Sequence, residues 1–161
     1  MKRFIDRELR RWKQSRRRKP LIIRGARQVG KTYSVRRFGE EAFDSVVIVD
    51  LERNPDWHRV FSGNLDARRI CSDLEILLGQ RIIPGRTLLF IDEIQAFSRA
   101  ITALRYFYEE LPALHVVAAG SLLEFAMGRN HSRSGGCSFS PFIRSALPNT
   151  FWQRAMTEQR R

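Results

Sequence analysis

Residues 25–32 read Gly-Ala-Arg-Gln-Val-Gly-Lys-Thr, a full match to the spacing G-x-x-x-x-G-K-[ST]. These residue types in this order do phosphate chemistry. Gly25 and Gly30 let the backbone turn tightly and approach phosphate oxygens with no side chain in the way. Successive N–H groups along Gly25, Ala26, Arg27, Gln28, Val29, Gly30, Lys31 and Thr32 can then form an anion-binding nest. A helix starting near Lys31 adds the positive end of its dipole. Lys31 is placed to reach the β- and γ-phosphates, and the Thr32 hydroxyl to ligate Mg²⁺. Arg27 and Gln28 are loop variables that can face solvent or ligand.

A second acidic segment follows about sixty residues later. Leu88-Leu89-Phe90-Ile91 is an apolar strand that ends in Asp92-Glu93. Asp92, capping a buried strand, suits the magnesium ion. Glu93 comes directly after it, points elsewhere, and suits a general base on the attacking water. The plain alternative is a polar strand end followed by a helix cap. Gln95 lies too near this pair to be assigned a role from its position alone. A third candidate is Ser121, at the end of the apolar run His115-Val116-Val117-Ala118-Ala119. It is either a sensor of the γ-phosphate or the N-cap of a helix, because Ser121-Leu122-Leu123-Glu124 also fits a capping box. The two roles are compatible.

These residues need a scaffold, and the sequence predicts one. Leu21-Ile22-Ile23 leads into the glycine loop and a helix-like stretch from Lys31 to Phe38 leaves it, so strand, loop and helix stand in the right order. Ser45 to Val49 forms a second strand ending at Asp50. Residues 53–65 read as loop, with Asn54-Pro55 and Ser62-Gly63-Asn64 as turn signals. Leu65 to Leu78 reads as a helix, as does 98–111, where Ile101, Leu104, Phe107, Tyr108 and Leu111 recur at helical spacing. Those aromatics suit a core better than a base-stacking platform. Strands alternating with helices predict an α/β fold, a parallel sheet covered by helices on both faces.

The chain has 161 residues, enough for one ordinary domain, and 43% of them are hydrophobic. No apolar run approaches the ~18–20 residues of a membrane span, and no signal peptide is evident. Cys71 and Cys137 are isolated, and His58, His115 and His131 have no ligand spacing. A reducing, cytoplasmic setting is the expectation. The net charge of +12 suggests nucleic acid as a partner. Its distribution argues the other way: residues 1–20 carry net +8, residues 129–161 net +5, and residues 21–128 net −1. Residues 1–19 read as a basic helix with Phe4, Ile5, Leu9 and Trp12 on one face, presenting Arg16, Arg17, Arg18 and Lys19 to solvent.

The segments "PLIIRGARQVGKT", "LLFIDEIQ", "LRYFYEELP" and "LHVVAAGSLLEFAMG" together resemble the bacterial AAA+ superfamily P-loop ATPases that carry a C-terminal domain of unknown role. The resemblance covers about residues 18–128. It implies an ATP-binding, ATP-hydrolysing module of the P-loop NTPase type with the strand order 5-1-4-3-2. It also implies assembly into homo-oligomers in intact relatives, with an arginine completing a neighbour's site. Lys31 and Thr32 carry over as phosphate and magnesium residues, Asp92 and Glu93 as the metal and water pair, and Ser121 as the sensor. The preference for adenine comes from the resemblance alone. A different class remains beside it, a basic nucleic-acid-binding module with a nucleotide-responsive core.

After Gly128 the pattern stops. Residues 129–161 form a basic tail with no apolar period, leaving three segments: 1–19, 20–128 and 129–161. Relatives would continue with Phe-Pro-Val-Gly-Arg. The codons of His131 to Cys137, read one base back, can spell that text, so the tail is expected to be an out-of-frame product rather than a divergent one. Arg133 is therefore no substitute for the missing family arginine. A truncated sheet would lack its last strand and expose the first strand as an apolar edge. A poorly soluble or partly folded chain is the expected result.

Overall fold

The computed structural model describes residues 4–16, 18–25, 30–121 and 144–146. The chain begins with helix α1 (Phe4–Lys13) and strand β1 (Leu21–Gly25), then α2 (Lys31–Ala42) and β2 (Ser45–Asp50). Helix α3 (Ala67–Leu78), β3 (Thr87–Asp92), α4 (Ser98–Glu110), β4 (His115–Ser121) and β5 (Arg144–Ala146) follow. The five strands form one sheet in the order β2-β3-β4-β1-β5, with every pairing parallel. Read from the other edge this is 5-1-4-3-2, the order expected from the resemblance.

Alternation along the strands divides the core into two layers. Ile22, Val47, Val49, Leu89, Ile91, Val116 and Ala118 face one way and pack with α3 and α4 residues such as Ile70, Leu74, Leu104 and Phe107. Leu21, Ile23, Leu88, Phe90, Val117 and Ala119 face the other way, against Val35 and Phe38 of α2 and Ile5, Leu9 and Trp12 of α1. Helix α2 lies so close to β2 that a Cβ on Gly39 would stand 2.5 Å from Val46 Cγ2, leaving room for no side chain there.

Several local expectations are corrected. The basic helix ends at Lys13 rather than running to residue 19. Arg18 does not project freely into solvent: its guanidinium donates to the carbonyls of Pro112 and Ala113, both at 3.2 Å. Trp12 Nε1 donates to the Lys19 carbonyl at 2.7 Å, so the segment after the helix folds back along it. Within the segment read as loop, Pro55–Phe61 winds into a 3-10 helix with Val60 and Phe61 buried. Arg69 and Arg99 hold it by donating to the carbonyls of Val60 at 2.9 Å and Phe61 at 3.1 Å. Helix α3 begins at Ala67, because the Asp66 side chain caps it by accepting from the Arg69 N–H.

The largest correction concerns the far edge of the sheet. The last strand is present: β5 pairs with β1 over Leu21–Ile23. An apolar β1 edge leaves a row of backbone donors and acceptors without partners, and β5 pairs along three of its five residues. So short a strand leaves no alternation for a periodicity reading to find. Residues 129–143 and 147–161, with the out-of-frame origin and Arg133, lie outside the described residues, as do Leu122, Leu123 and Glu124. The described residues include no helix long and apolar enough to cross a membrane.

His115 opens β4 at the sheet end away from the glycine loop and serves packing, as its sequence position suggests. Its ring meets Trp12 and Phe43 edge-on, with centroids 5.8 and 4.7 Å away. Its Nδ1 is buried without a hydrogen-bond partner. Burial first, then the charges of Arg18 and Lys13, lower its pKa to about 4. A histidine free in the unfolded chain titrates near 6.5. The neutral ring therefore supports the fold fully above that value, and the support is lost as pH falls from about 6.5 towards about 4. Urea melts across this window should show that loss in the wild type and lack it in His115→Phe. The same pH slope in both proteins would remove the assignment.

Candidate functional site

Parallel strands end together, and here β1, β3 and β4 bring Gly25, Asp92 and Ser121 to one edge of the sheet. Gly25 and Ser121 are register partners, as are Asp50 and Asp92. Open α/β sheets bind ligands at this carboxyl end.

Gly30 precedes α2 with φ 78°, a left-handed conformation that glycine adopts without steric cost. It frees the chain to turn from loop into helix, so that Lys31 and Thr32 form the first turn of α2. Lys31 is 5% exposed, and its Nζ donates to the Gly25 carbonyl at 3.1 Å. The ammonium thus stands between the end of β1 and the start of α2, at the mouth of the loop. Ala26, Arg27, Gln28 and Val29, the middle of that loop, lie outside the described residues.

Thr32 Oγ1 donates to Asp92 Oδ2 at 2.6 Å. Asp92 is 4% exposed, and its other oxygen accepts from the Glu93 N–H at 3.0 Å. Burial pushes the Asp92 carboxyl above its ordinary range, aided by the charges of Glu93 and Asp50 and opposed by its two hydrogen bonds. Hydroxyl and carboxylate oxygens side by side are hard donors of the kind Mg²⁺ prefers. Among the described residues no group of three or more His, Cys, Asp or Glu gathers as a metal cage. The Thr32 hydroxyl and Asp92 carboxylate fit a cation that takes few protein ligands and completes its shell with phosphate and water.

Glu93 is left-handed as well, with φ 48° and ψ 45°, the one non-glycine residue with positive φ among those described. Such a conformation costs roughly 1–3 kcal/mol and gathers at functional sites. It turns the chain sharply out of β3 into a short 3-10 helix, Ile94–Ala96, whose buried Ile94 anchors it. Gln95 in that helix donates from Nε2 to Glu93 Oε2 at 2.6 Å. Its Oε1 accepts from the Ser121 backbone N–H at 3.3 Å. Ser121 is 3% exposed and ends β4, while the residues that would follow it in a capping box are not described.

The structure brings Gly25, Gly30, Lys31, Thr32, Asp92, Glu93 and Ser121 to the same end of the sheet. Sequence reasoning left Gln95 without a role and named Asp50 only as a strand end. The single signal for Gln95 was a polar residue between two apolar ones in Ile94-Gln95-Ala96.

Residues 17–140 match a protein-family model described as an AAA domain, and the match runs past Gly128. No curated protein matches the chain. Among solved structures, the Aeropyrum pernix ORC1 protein in complex with DNA is similar with a TM-score of 0.51 at 13% identity, covering 98% of this chain and 50% of that one. The Pif1 helicase from Bacteroides in complex with ADP-AlF3 and single-stranded DNA has a TM-score of 0.48 at 14% identity, with 92% and 42% covered. The chain therefore spans about half the length of the ORC1 chain it matches. At 13% identity the likeness to the ORC1 protein establishes the fold alone, an α/β sheet.

A buried carboxyl held above its ordinary range is costly when ionised, and the cost is relieved as pH falls. Without magnesium, Asp92→Asn removes the charge and keeps one acceptor oxygen for the two donors, Thr32 Oγ1 and the Glu93 N–H. Its melting temperature relative to the wild type should therefore rise as pH is raised from acid to neutral. A difference that stays flat or falls would count against the burial cost.

Proposed function

The chain belongs to the AAA domain family, and on that premise we propose that it binds ATP with Mg²⁺ and hydrolyses the β–γ bond by in-line attack of water. The observation that carries this reading is the Thr32–Asp92 hydrogen bond at 2.6 Å, which joins the phosphate-loop helix to the end of β3.

Lys31 leaves the Gly25 carbonyl, or shares it, to neutralise charge on the β- and γ-phosphates. The N–H groups of the first turn of α2 have no partners within the helix and turn towards the same phosphates. Thr32 and Asp92 would hold the magnesium ion, which would offset negative charge on the phosphates. Glu93 takes a proton from the attacking water as the water oxygen bonds to phosphorus and the bond to the β-phosphate oxygen breaks, leaving ADP and inorganic phosphate. Ser121 stands where a small polar group can contact the γ-phosphate. The proposal includes a cytoplasmic location and assembly into homo-oligomers, by analogy with the family.

A second reading, binding of nucleic acid by the basic N-terminus, has one observation in its favour: Arg7, Arg10, Arg11 and Arg16 are exposed along and after α1. Its force is reduced by ion pairing, Arg10 with Glu41 at 2.7 Å and Arg11 with Glu8 at 3.3 Å. Deleting residues 1–19 is a poor test, because it strips Ile5, Leu9 and Trp12 from the core. Replacing the exposed arginines by glutamine is the cleaner one. Loss of a salt-dependent DNA or RNA shift in that variant would favour the second reading.

Titration calorimetry and phosphate release test the first. Lys31→Ala should abolish binding of Mg-ATP. Glu93→Gln should bind Mg-ATP as the wild type does while turnover falls on the order of 10²–10⁴-fold. Equal turnover in the two proteins would remove the base assignment.

A further inference from the structure

The proposed base is held by a neighbour that can be only one kind of side chain. Gln95 stands between a donor and an acceptor of fixed character. The Ser121 backbone N–H can only donate, and the Glu93 carboxylate can only accept. The amide oxygen must therefore face Ser121, at 3.3 Å, and the amide nitrogen must face Glu93 Oε2, at 2.6 Å. This fixes the orientation of the amide by chemistry rather than by atom labelling. A glutamate at this position would set two carboxylates against each other. A methionine of similar length would make neither bond, and an asparagine would be one methylene short.

The backbone around Gln95 is equally constrained. It follows the left-handed turn at Glu93 and sits in a short helix closed by the Ala96 N–H on the Glu93 carbonyl at 2.9 Å. The side chain crosses from the end of β3 to the end of β4, where Ser121 pairs in register with Gly25 at the start of the phosphate loop. A continuous path runs from the phosphate loop through Gly25, Ser121 and Gln95 to Glu93.

We infer that Gln95 is a positioning residue: it clamps one oxygen of Glu93, leaves the other to receive the water proton, and ties the carboxylate to the strand beside the phosphate loop. The inference rests on the ATPase reading above. A carboxylate on a freely rotating side chain spends much of its time misaimed, and a misplacement of about 1 Å costs roughly 100-fold in rate.

The test compares the full chain with Glu93→Gln, Gln95→Met, Gln95→Glu and the double variant Glu93→Gln with Gln95→Met, using Mg-ATP. Gln95→Met should lower kcat roughly 10- to 100-fold and leave the Kd for Mg-ATP within about twofold of wild type. Gln95→Glu keeps an acceptor for Ser121 but loses the donor to Glu93, and should lose at least as much kcat. With Glu93→Gln already in place, Gln95→Met should cause no further loss of turnover. Full kcat in both Gln95 variants, alongside an inactive Glu93→Gln, overturns this inference and leaves the ATPase reading standing. A fully active Glu93→Gln, or a wild type without turnover, overturns both. Melting temperatures of the same set give a second readout that needs no turnover. Non-additive shifts for residues 93 and 95 support the contact, and additive shifts overturn it.

Discussion

A hydroxyl and a carboxylate meet at 2.6 Å where a buried Asp92 faces an exposed Thr32, and the site is organised around that contact. Burial makes the Asp92 charge unfavourable, and the hydrogen bonds from Thr32 and the Glu93 N–H offset part of that cost. Such a group gains most when a cation arrives, because the cation replaces the solvation that folding removed. The contact also joins two elements remote in sequence, the first turn of α2 and the last residue of β3. Sheet register and helix docking must therefore both be right before the pair can form.

The fold meets that demand through a sheet buried on two sides. Leu88 and Phe90 face α1 and α2, whereas Leu89 and Ile91 face α3 and α4, so β3 cannot slip by one residue without turning each layer of the core over. Register held this firmly at β3 and β4 sets Asp92 and Ser121 near the same level, and Glu93 leaves the sheet there. The left-handed turn at Glu93 is a local cost borne by the site. It takes the chain out of the sheet at Glu93, and it starts the short helix that carries Gln95.

The N-terminal helix illustrates how charge can mislead when read as composition. The arginines of the N-terminal segment suggest a nucleic-acid surface in the sequence, yet Arg10 reaches Glu41 at 2.7 Å, Arg11 reaches Glu8 at 3.3 Å, and Arg18 after the helix donates to the carbonyls of Pro112 and Ala113. Exposed pairs of this kind contribute little to stability. The buried face of Ile5, Leu9 and Trp12 is what attaches α1 to the core.

Much of this protein was legible in the residues themselves. The glycine loop, Lys31, Thr32, the Asp92-Glu93 strand end and the α/β alternation follow from local spacing, because a helix period, a strand period and a tight turn each leave a mark within a few residues. The tertiary structure alone decided what depends on partners far along the chain. It put Gln95 between Glu93 and Ser121, turned Arg18 inward, wound Pro55–Phe61 into a helix and supplied β5 to the open edge of β1. A hydrogen bond spanning 26 residues or a three-residue edge strand has no period of its own. Its existence follows from the need to satisfy donors and acceptors that only the assembled sheet brings together.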